Sequence, residues 1–163
     1  MIANRQRRVR VSIPPLEEFL ARVRRKLKIP AGSVSVCFVR DAEMSRWNSS
    51  YRGKRGSTDV LSFPANPDGN SNGNGARRSS KRRPAVAAYS SGNGNGELAY
   101  LGDIAISPVV ARRNAQRDGR TLSAELRILI LHGVLHLLGY DHETDDGEME
   151  RYEHRLRAGL GLP

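Results

Sequence analysis

Apolar positions along the chain alternate in some segments and recur every three or four residues in others. Alternation of Val9, Val11 and Ile13 predicts a first strand, and apolar runs predict three more, over residues 34–39, 58–64 and 98–106. Helical spacing predicts helices over residues 16–27, 41–48, 108–119, 121–139 and 147–159. Strands interspersed with helices in this way predict an α/β fold, with α+β character, built around one small four-stranded sheet.

Residues 66–96 differ from the rest of the chain in composition. They are rich in Gly, Asn and Ser and have almost no apolar periodicity. Such a segment cannot bury enough apolar surface to offset its ordering entropy, so it predicts a disordered or mobile insertion within one domain spanning residues 1–163. The insertion contains a basic run that either touches RNA or only adds solubility: Arg77, Arg78, Lys81, Arg82 and Arg83.

The charge of the chain is strongly unbalanced. Lys and Arg number 27 against 17 Asp and Glu, a formal net charge of +10 at pH 7. A chain this basic is attracted to polyanions, so nucleic acid is the first partner expected and a membrane surface the second.

The apolar segments and the cysteine content favour a cytoplasmic protein. The longest apolar stretch, residues 128–140, is too short to span a bilayer, and no apolar segment follows the basic N-terminus as it would in a secretory signal. Cys37 is the only cysteine, which excludes an intramolecular disulfide and fits a reducing compartment.

Three of the four histidines fall within eleven residues. His132 and His136 are four apart on a predicted helix, so their rings lie on one face. Gly139 can end that helix in a left-handed conformation, which lets the chain reverse and return His142 toward the other two. Three imidazoles suit Zn²⁺ and leave a fourth coordination position open, as in catalytic sites. The spacing therefore predicts one zinc ion per chain.

The same spacing occurs in metzincin proteases, with one difference. Those enzymes carry H-E-x-x-H, in which the Glu is the general base for peptide hydrolysis. Gly133 occupies that position here. The sequence thus predicts a metzincin-like zinc helix without the protease base.

The sequence HGVLHLLGYDH, residues 132–142, resembles the signature of the YbeY family of rRNA maturation endoribonucleases. Asn48, the triplet Tyr51-Arg52-Gly53 and the sequence TDVLSFP at residues 58–64 resemble that family's second block. The sequence LGDIAIS at residues 101–107 resembles its third. The blocks occur in the family's order, and the resemblance covers most of the chain outside the insertion.

The resemblance implies a single α/β domain with a small mixed sheet and a bound zinc ion. It implies zinc-dependent cleavage of single-stranded RNA, with a role in 3′-end maturation of small-subunit (16S) ribosomal RNA and in ribosome quality control. The implied partners are ribosomal RNA and the small ribosomal subunit, and neither a membrane partner nor a small-molecule cofactor is expected. Carried over residue by residue, it makes His132, His136 and His142 the zinc ligands and Arg52 the functional arginine.

Phosphodiester cleavage explains why an arginine would be needed. A planar guanidinium can contact two phosphate oxygens as negative charge develops. Arg52 falls in a predicted Gly-containing loop before the third strand, and without the resemblance it would be an ordinary surface arginine. Asp141 and Glu143 flank His142, and each is a candidate to orient a ligand imidazole, to accept a proton or to cap a helix.

Two other functions compete with the endoribonuclease. One is a zinc metallohydrolase of another class, including a peptidase whose base comes from elsewhere, and Gly133 argues against it. The other is a non-catalytic ribosome assembly factor in which zinc only holds the fold. The open fourth coordination position argues against that one.

Overall fold

The computed structural model describes residues 1–65, 100–141 and 146–163, and these contain four strands and five helices. The strands are β1 (Ile2–Asn4), β2 (Val34–Phe38), β3 (Val60–Pro64) and β4 (Gly102–Ile106). The helices are α1 (Pro14–Leu27), α2 (Asp41–Arg52), α3 (Pro108–Arg117), α4 (Leu122–Leu137) and α5 (Glu148–Leu160). The predicted insertion, with its five basic residues, lies outside the described residues.

The strands form one sheet in the order β1-β2-β4-β3. β1, β2 and β4 run parallel, and β3 pairs antiparallel with β4, with Leu61 opposite Ala105. The prediction of an α/β fold with a small, mixed, four-stranded sheet is confirmed. Within the described part of the chain, β3 has a strand partner on one side only, so its other edge is available to border a site.

Helices cover both faces of the sheet. On one face, alternate strand residues such as Val36, Ile104 and Ile106 pack against α1 and α4 in the main core. On the other face, Leu61 and Ala105 pack with Met44 of α2 in a smaller cluster. The apolar stripe predicted for α1 is buried throughout: Leu16, Phe19, Leu20, Val23 and Leu27. The removal of these side chains from water stabilises the fold.

The position of the first strand was predicted wrongly. The structure places it at Ile2–Asn4, and residues 9–13 form no strand. Val9 is buried, as the alternation suggests, but its backbone bonds to a side chain instead of a strand. Val9 N–H donates to Gln6 Oε1 at 2.9 Å, and Gln6 Nε2 donates to Val9 O at 2.8 Å. The buried Gln6 amide thus takes the place of a neighbouring strand.

Two predicted helix starts are confirmed by their capping bonds. The Ser107 hydroxyl accepts from Val110 N–H at 3.4 Å before α3, and the Thr121 hydroxyl accepts from Ala124 N–H at 3.1 Å before α4. Such caps stabilise a helix by about 1 kcal/mol. Among the helices of the described ranges, none combines the length and the apolar character needed to cross a membrane.

Gly133 is where α4 approaches the sheet most closely. A Cβ atom at position 133 would lie 2.8 Å from Cγ2 and 2.9 Å from Cδ1 of Ile104, which is fully buried in β4. A glutamate at this position therefore requires that the Ile104 side chain or α4 shift. The packing of α4 on the sheet gives a structural reason for the glycine.

We expect Gly133→Ala to lower the free energy of unfolding by about 1 kcal/mol. Overpacking a well-filled core costs about 1–3 kcal/mol, and the higher helix propensity of alanine recovers about 1 kcal/mol of that. Urea unfolding measures the difference. Gly159→Ala in α5 is the matched control, because its Cβ would meet only the flexible end of Lys26, at 3.1 Å from Nζ. The control should be neutral or stabilising; a Gly133→Ala protein as stable as the control protein would contradict the packing account.

Candidate active site

A cleft of about 580 Å³ lies between β3, the end of α2 and the C-terminal half of α4. The three segments bring polar and aromatic side chains together on its walls. Its lining residues are Tyr51, Arg52, residues 58–64, His132, His136, Gly139, Tyr140 and Asp141. The cleft therefore collects residues from two of the sequence blocks singled out above.

His132 and His136 face each other inside this cleft. Their Nε2 atoms are 3.0 Å apart, and their ring planes are inclined by 75°. The four-residue spacing on α4 produces this arrangement, as the sequence predicts. The structure thus brings two of the three predicted zinc ligands to one point.

A carboxylate behind His132 holds its ring in place. Nδ1 of His132 lies 2.9 Å from Oε2 of Glu153, which is buried in α5. The other carboxylate oxygen accepts from Arg157 Nε at 3.0 Å. Burial alone would raise the pKa of Glu153. The hydrogen bond and charge of His132, together with the charge of Arg157, outweigh burial, so the pKa of Glu153 lies below its usual value. An ionised acceptor at Nδ1 favours the tautomer that leaves Nε2 with a lone pair.

The residues present fit a zinc ion. Zn–N bonds are about 2.0–2.1 Å long, so two imidazole nitrogens 3.0 Å apart can both reach one ion. A carboxylate on the far nitrogen is also the usual support for a metal-binding histidine. Within residues 1–65, 100–141 and 146–163, no group of three or more His, Cys, Asp or Glu side chains is arranged to hold a metal. The third predicted ligand, His142, lies outside those ranges.

The end of α4 directs the chain back along the cleft. Gly139, at φ +91°, follows the helix, its N–H donates to His136 O at 2.9 Å, and Tyr140 N–H donates to Leu135 O at 3.1 Å. This pair of bonds is a Schellman motif, which the predicted glycine stop permits. The turn places Asp141 on the cleft wall, while Glu143 lies outside the described residues.

Arg52 lines the same cleft, but not from the loop that the sequence predicts. α2 continues one turn beyond the predicted end, and Arg52 is its last residue. Gly53, at φ +63°, ends the helix, and its N–H donates to Ser49 O at 3.1 Å. Ser49 and Ser50 extend no apolar stripe, so periodicity alone predicts an end of the helix near Asn48.

Side-chain hydrogen bonds from buried Asn48 and partly buried Asp59 hold the segment that follows α2. Asn48 Nδ2 donates to Lys54 O at 3.3 Å and to Gly56 O at 3.0 Å. Asp59 accepts from Val60 N–H at 2.8 Å with one oxygen and from Asn114 Nδ2 at 3.0 Å with the other. These bonds restrain the segment between α2 and β3. Arg52 therefore lies at the end of a helix whose following loop is held by hydrogen bonds.

Comparison with known proteins places this cleft in a family. The family model described as "Endoribonuclease YbeY" matches residues 1–161. The chain belongs to the YbeY family. The Endoribonuclease YbeY of Koribacter versatilis is 39% identical over 163 residues, which cover all of this chain and 87% of that protein. The Endoribonuclease YbeY of Moorella thermoacetica is 37% identical over 159 residues, 91% of each chain.

A solved structure shows the same fold. The solution structure of a Thermotoga maritima protein superposes with a TM-score of 0.55 at 25% identity, covering 98% of this chain and 89% of that one. The resemblance to the YbeY family drawn from the sequence blocks is therefore confirmed.

The sequence analysis does not predict Glu153, which lies behind the His132 ring of this YbeY-family protein. Asp141 and Glu143 were the predicted partners of a ligand imidazole, whereas the carboxylate bonded to His132 comes from α5. One signal was present: Glu153 falls between Met149 and Leu156 on the buried stripe of α5. An acid in such a stripe needs a buried partner, which the sequence alone does not identify.

Proposed function

We propose that this YbeY-family protein is a zinc-dependent, single-strand-specific endoribonuclease acting in 3′-end maturation of 16S ribosomal RNA and in ribosome quality control. The observation that carries the proposal is the pair of facing Nε2 atoms on His132 and His136, 3.0 Å apart, in a cleft that Arg52 also lines. The endoribonuclease names of the relatives support the reaction class.

The metal would be held by His132 and His136, with His142 as the third ligand. When bound, zinc supplies Lewis-acid stabilisation of charge on a phosphate oxygen. Glu153 keeps the His132 ring oriented, with Nδ1 toward α5 and Nε2 toward the cleft. Half-buried Arg157 donates to the other carboxylate oxygen of Glu153 at 3.0 Å and so holds the carboxylate in place behind the imidazole.

The remaining chemistry falls to two cleft residues. Arg52 offers a guanidinium that can contact two oxygens of the scissile phosphate as negative charge develops. Asp141, which lines the cleft from the turn that follows α4, can accept the proton of the attacking water. Glu143 is the alternative proton acceptor that the sequence offers.

The charge of the chain fits an RNA partner. A net charge of +10 attracts a polyanion and raises its local concentration at the cleft. The basic residues predicted to touch RNA between positions 77 and 83 would add phosphate contacts. Ribosomal RNA and the small ribosomal subunit are therefore the partners we propose, in the cytoplasm.

A two-substrate assay tests the proposed reaction. The zinc-loaded protein and its His136→Ala variant are incubated with small-subunit rRNA fragments and, separately, with a peptide library. RNA cleavage that is lost in the variant supports the endoribonuclease. Peptide cleavage would select the peptidase alternative, and zinc binding with cleavage of neither substrate would select the assembly factor.

We expect Glu153→Gln to weaken zinc affinity by about 10- to 100-fold, the usual effect of removing the hydrogen-bonded support of a metal ligand. The amide keeps the shape of the side chain but loses the charge that holds the His132 ring. Competition with a chromophoric chelator measures the affinity without any activity assay. Glu150→Gln, at an exposed position on the same helix, is the control. Equal affinity in both variants would show that Glu153 does not support the site.

A further inference from the structure

Tyr51 is the most exposed aromatic side chain in the described part of the chain. Its exposed fraction is 72%, against 41% for Tyr100. It precedes Arg52 at the end of α2, and both residues line the cleft. Core packing does not account for an aromatic ring that is left in solvent at the cleft.

The ring is nevertheless supported from one side. Tyr51 meets Phe63 of β3 edge to face, with the ring centroids 4.7 Å apart, and Phe63 meets Trp47 in the same manner at 5.8 Å. Phe63 packs in turn on the apolar cluster beneath α2. Edge-to-face contacts of this kind add to apolar burial and limit ring motion. Tyr51 is thus presented at the cleft by a chain of three aromatic rings.

We propose that Tyr51 stacks on an unpaired nucleobase beside the phosphate that Arg52 contacts, and that this contact selects single-stranded RNA. The inference rests on the proposed function, since it assumes an RNA substrate. Because Tyr51 and Arg52 both line the cleft, one can contact a base while the other contacts the neighbouring phosphate. Bases stack on aromatic rings in many single-strand sites with little regard to sequence, whereas the bases of a duplex are already stacked and paired.

Binding of matched RNAs tests the stacking contact. A fluorescein-labelled 12-nucleotide single strand and its blunt duplex are titrated with wild type, Tyr51→Ala, Tyr51→Phe and Tyr100→Ala. We expect Tyr51→Ala to lose about tenfold in affinity for the single strand and nothing for the duplex. Tyr51→Phe keeps the ring and should bind like wild type. Tyr100 is the matched control, because it does not line the cleft and its hydroxyl bonds to Asp103 at 2.7 Å.

An abasic scan tests the same contact in the wild-type protein. Removing the bases of the single strand one at a time should weaken binding at one position by the factor seen for Tyr51→Ala. That abasic RNA should then show no further loss with Tyr51→Ala, because the two changes remove the same contact.

Each other outcome overturns the inference in a distinct way. If wild type cleaves the single strand and Tyr51→Ala binds it equally well, the stacking contact is absent while the proposed function stands. If Tyr51→Phe is as weak as Tyr51→Ala, the hydroxyl matters and not the ring. A flat abasic scan excludes base stacking. If wild type neither binds nor cleaves RNA, the proposed function fails and this inference fails with it.

Discussion

Replacing His132 with alanine is expected to remove stoichiometric zinc and to lower the rate of RNA cleavage by at least about a thousandfold, since Lewis-acid stabilisation by a metal is worth several kcal/mol. The variant deletes one of the two imidazoles whose Nε2 atoms meet at 3.0 Å. It also leaves Glu153 paired with Arg157, so no buried charge is stranded. Elemental analysis of the purified protein and a single-turnover cleavage assay measure the two effects.

His154→Ala is the matched control for this loss. His154 is exposed on α5 and does not line the cleft. Its variant should retain one zinc ion per chain and the wild-type rate. Zinc retained at full occupancy in His132→Ala would show that the metal is held elsewhere.

Replacing Arg52 with alanine is expected to lower the cleavage rate about a hundredfold or more, which is the typical cost of removing a donor aimed at charge that develops in the transition state. RNA affinity should fall much less, because one cation among the 27 Lys and Arg residues contributes little to ground-state attraction. Arg52→Lys should recover little of the rate, since an ammonium group cannot make the two-pronged contact. Zinc content should not change in either variant.

Arg46→Ala is the control that distinguishes a transition-state role of Arg52 from the loss of one positive charge. Arg46 is exposed on the same helix and does not line the cleft. We expect it to alter cleavage and binding only slightly. If Arg52→Ala instead cleaves at the wild-type rate once RNA is saturating, Arg52 anchors the substrate and takes no part in the chemical step.

Local periodicity explains what the sequence could predict. The stripe on α1, the caps at Ser107 and Thr121 and the facing of His132 and His136 all depend on residues within a few positions of one another. The glycine stop after α4 is equally local. These features hold because backbone geometry alone sets which side chains share a face.

Long-range contacts explain what the sequence could not predict. Glu153 reaches His132 only because α5 packs beside α4, and the two residues are 21 positions apart. The alternation at residues 9–13 predicts a strand, and Val9 is indeed buried. Its backbone N–H and C=O, however, hydrogen-bond to the side chain of Gln6 and not to a strand. Apolar periodicity predicts which residues are buried, but it does not predict which groups their backbone atoms hydrogen-bond to.

The structural role of Gly133 depends on tertiary packing, which periodicity does not predict. In the sequence it marks the absence of a protease base, and in the structure it is the point at which α4 rests on Ile104. The glycine at this position therefore lacks the carboxylate that serves metzincins as the base, and it permits close helix–sheet packing. The paired imidazoles line the cleft, while position 133 packs against Ile104.

Zinc titration into metal-free protein, with cleavage of single-stranded rRNA followed at each step, tests the central claim most directly. If His132 and His136 help to hold the catalytic metal, cleavage should be absent at the start, rise in proportion to added zinc and level off at one equivalent per chain. Full cleavage by the metal-free protein, or none at saturating zinc, would contradict a zinc-dependent endoribonuclease built on this cleft.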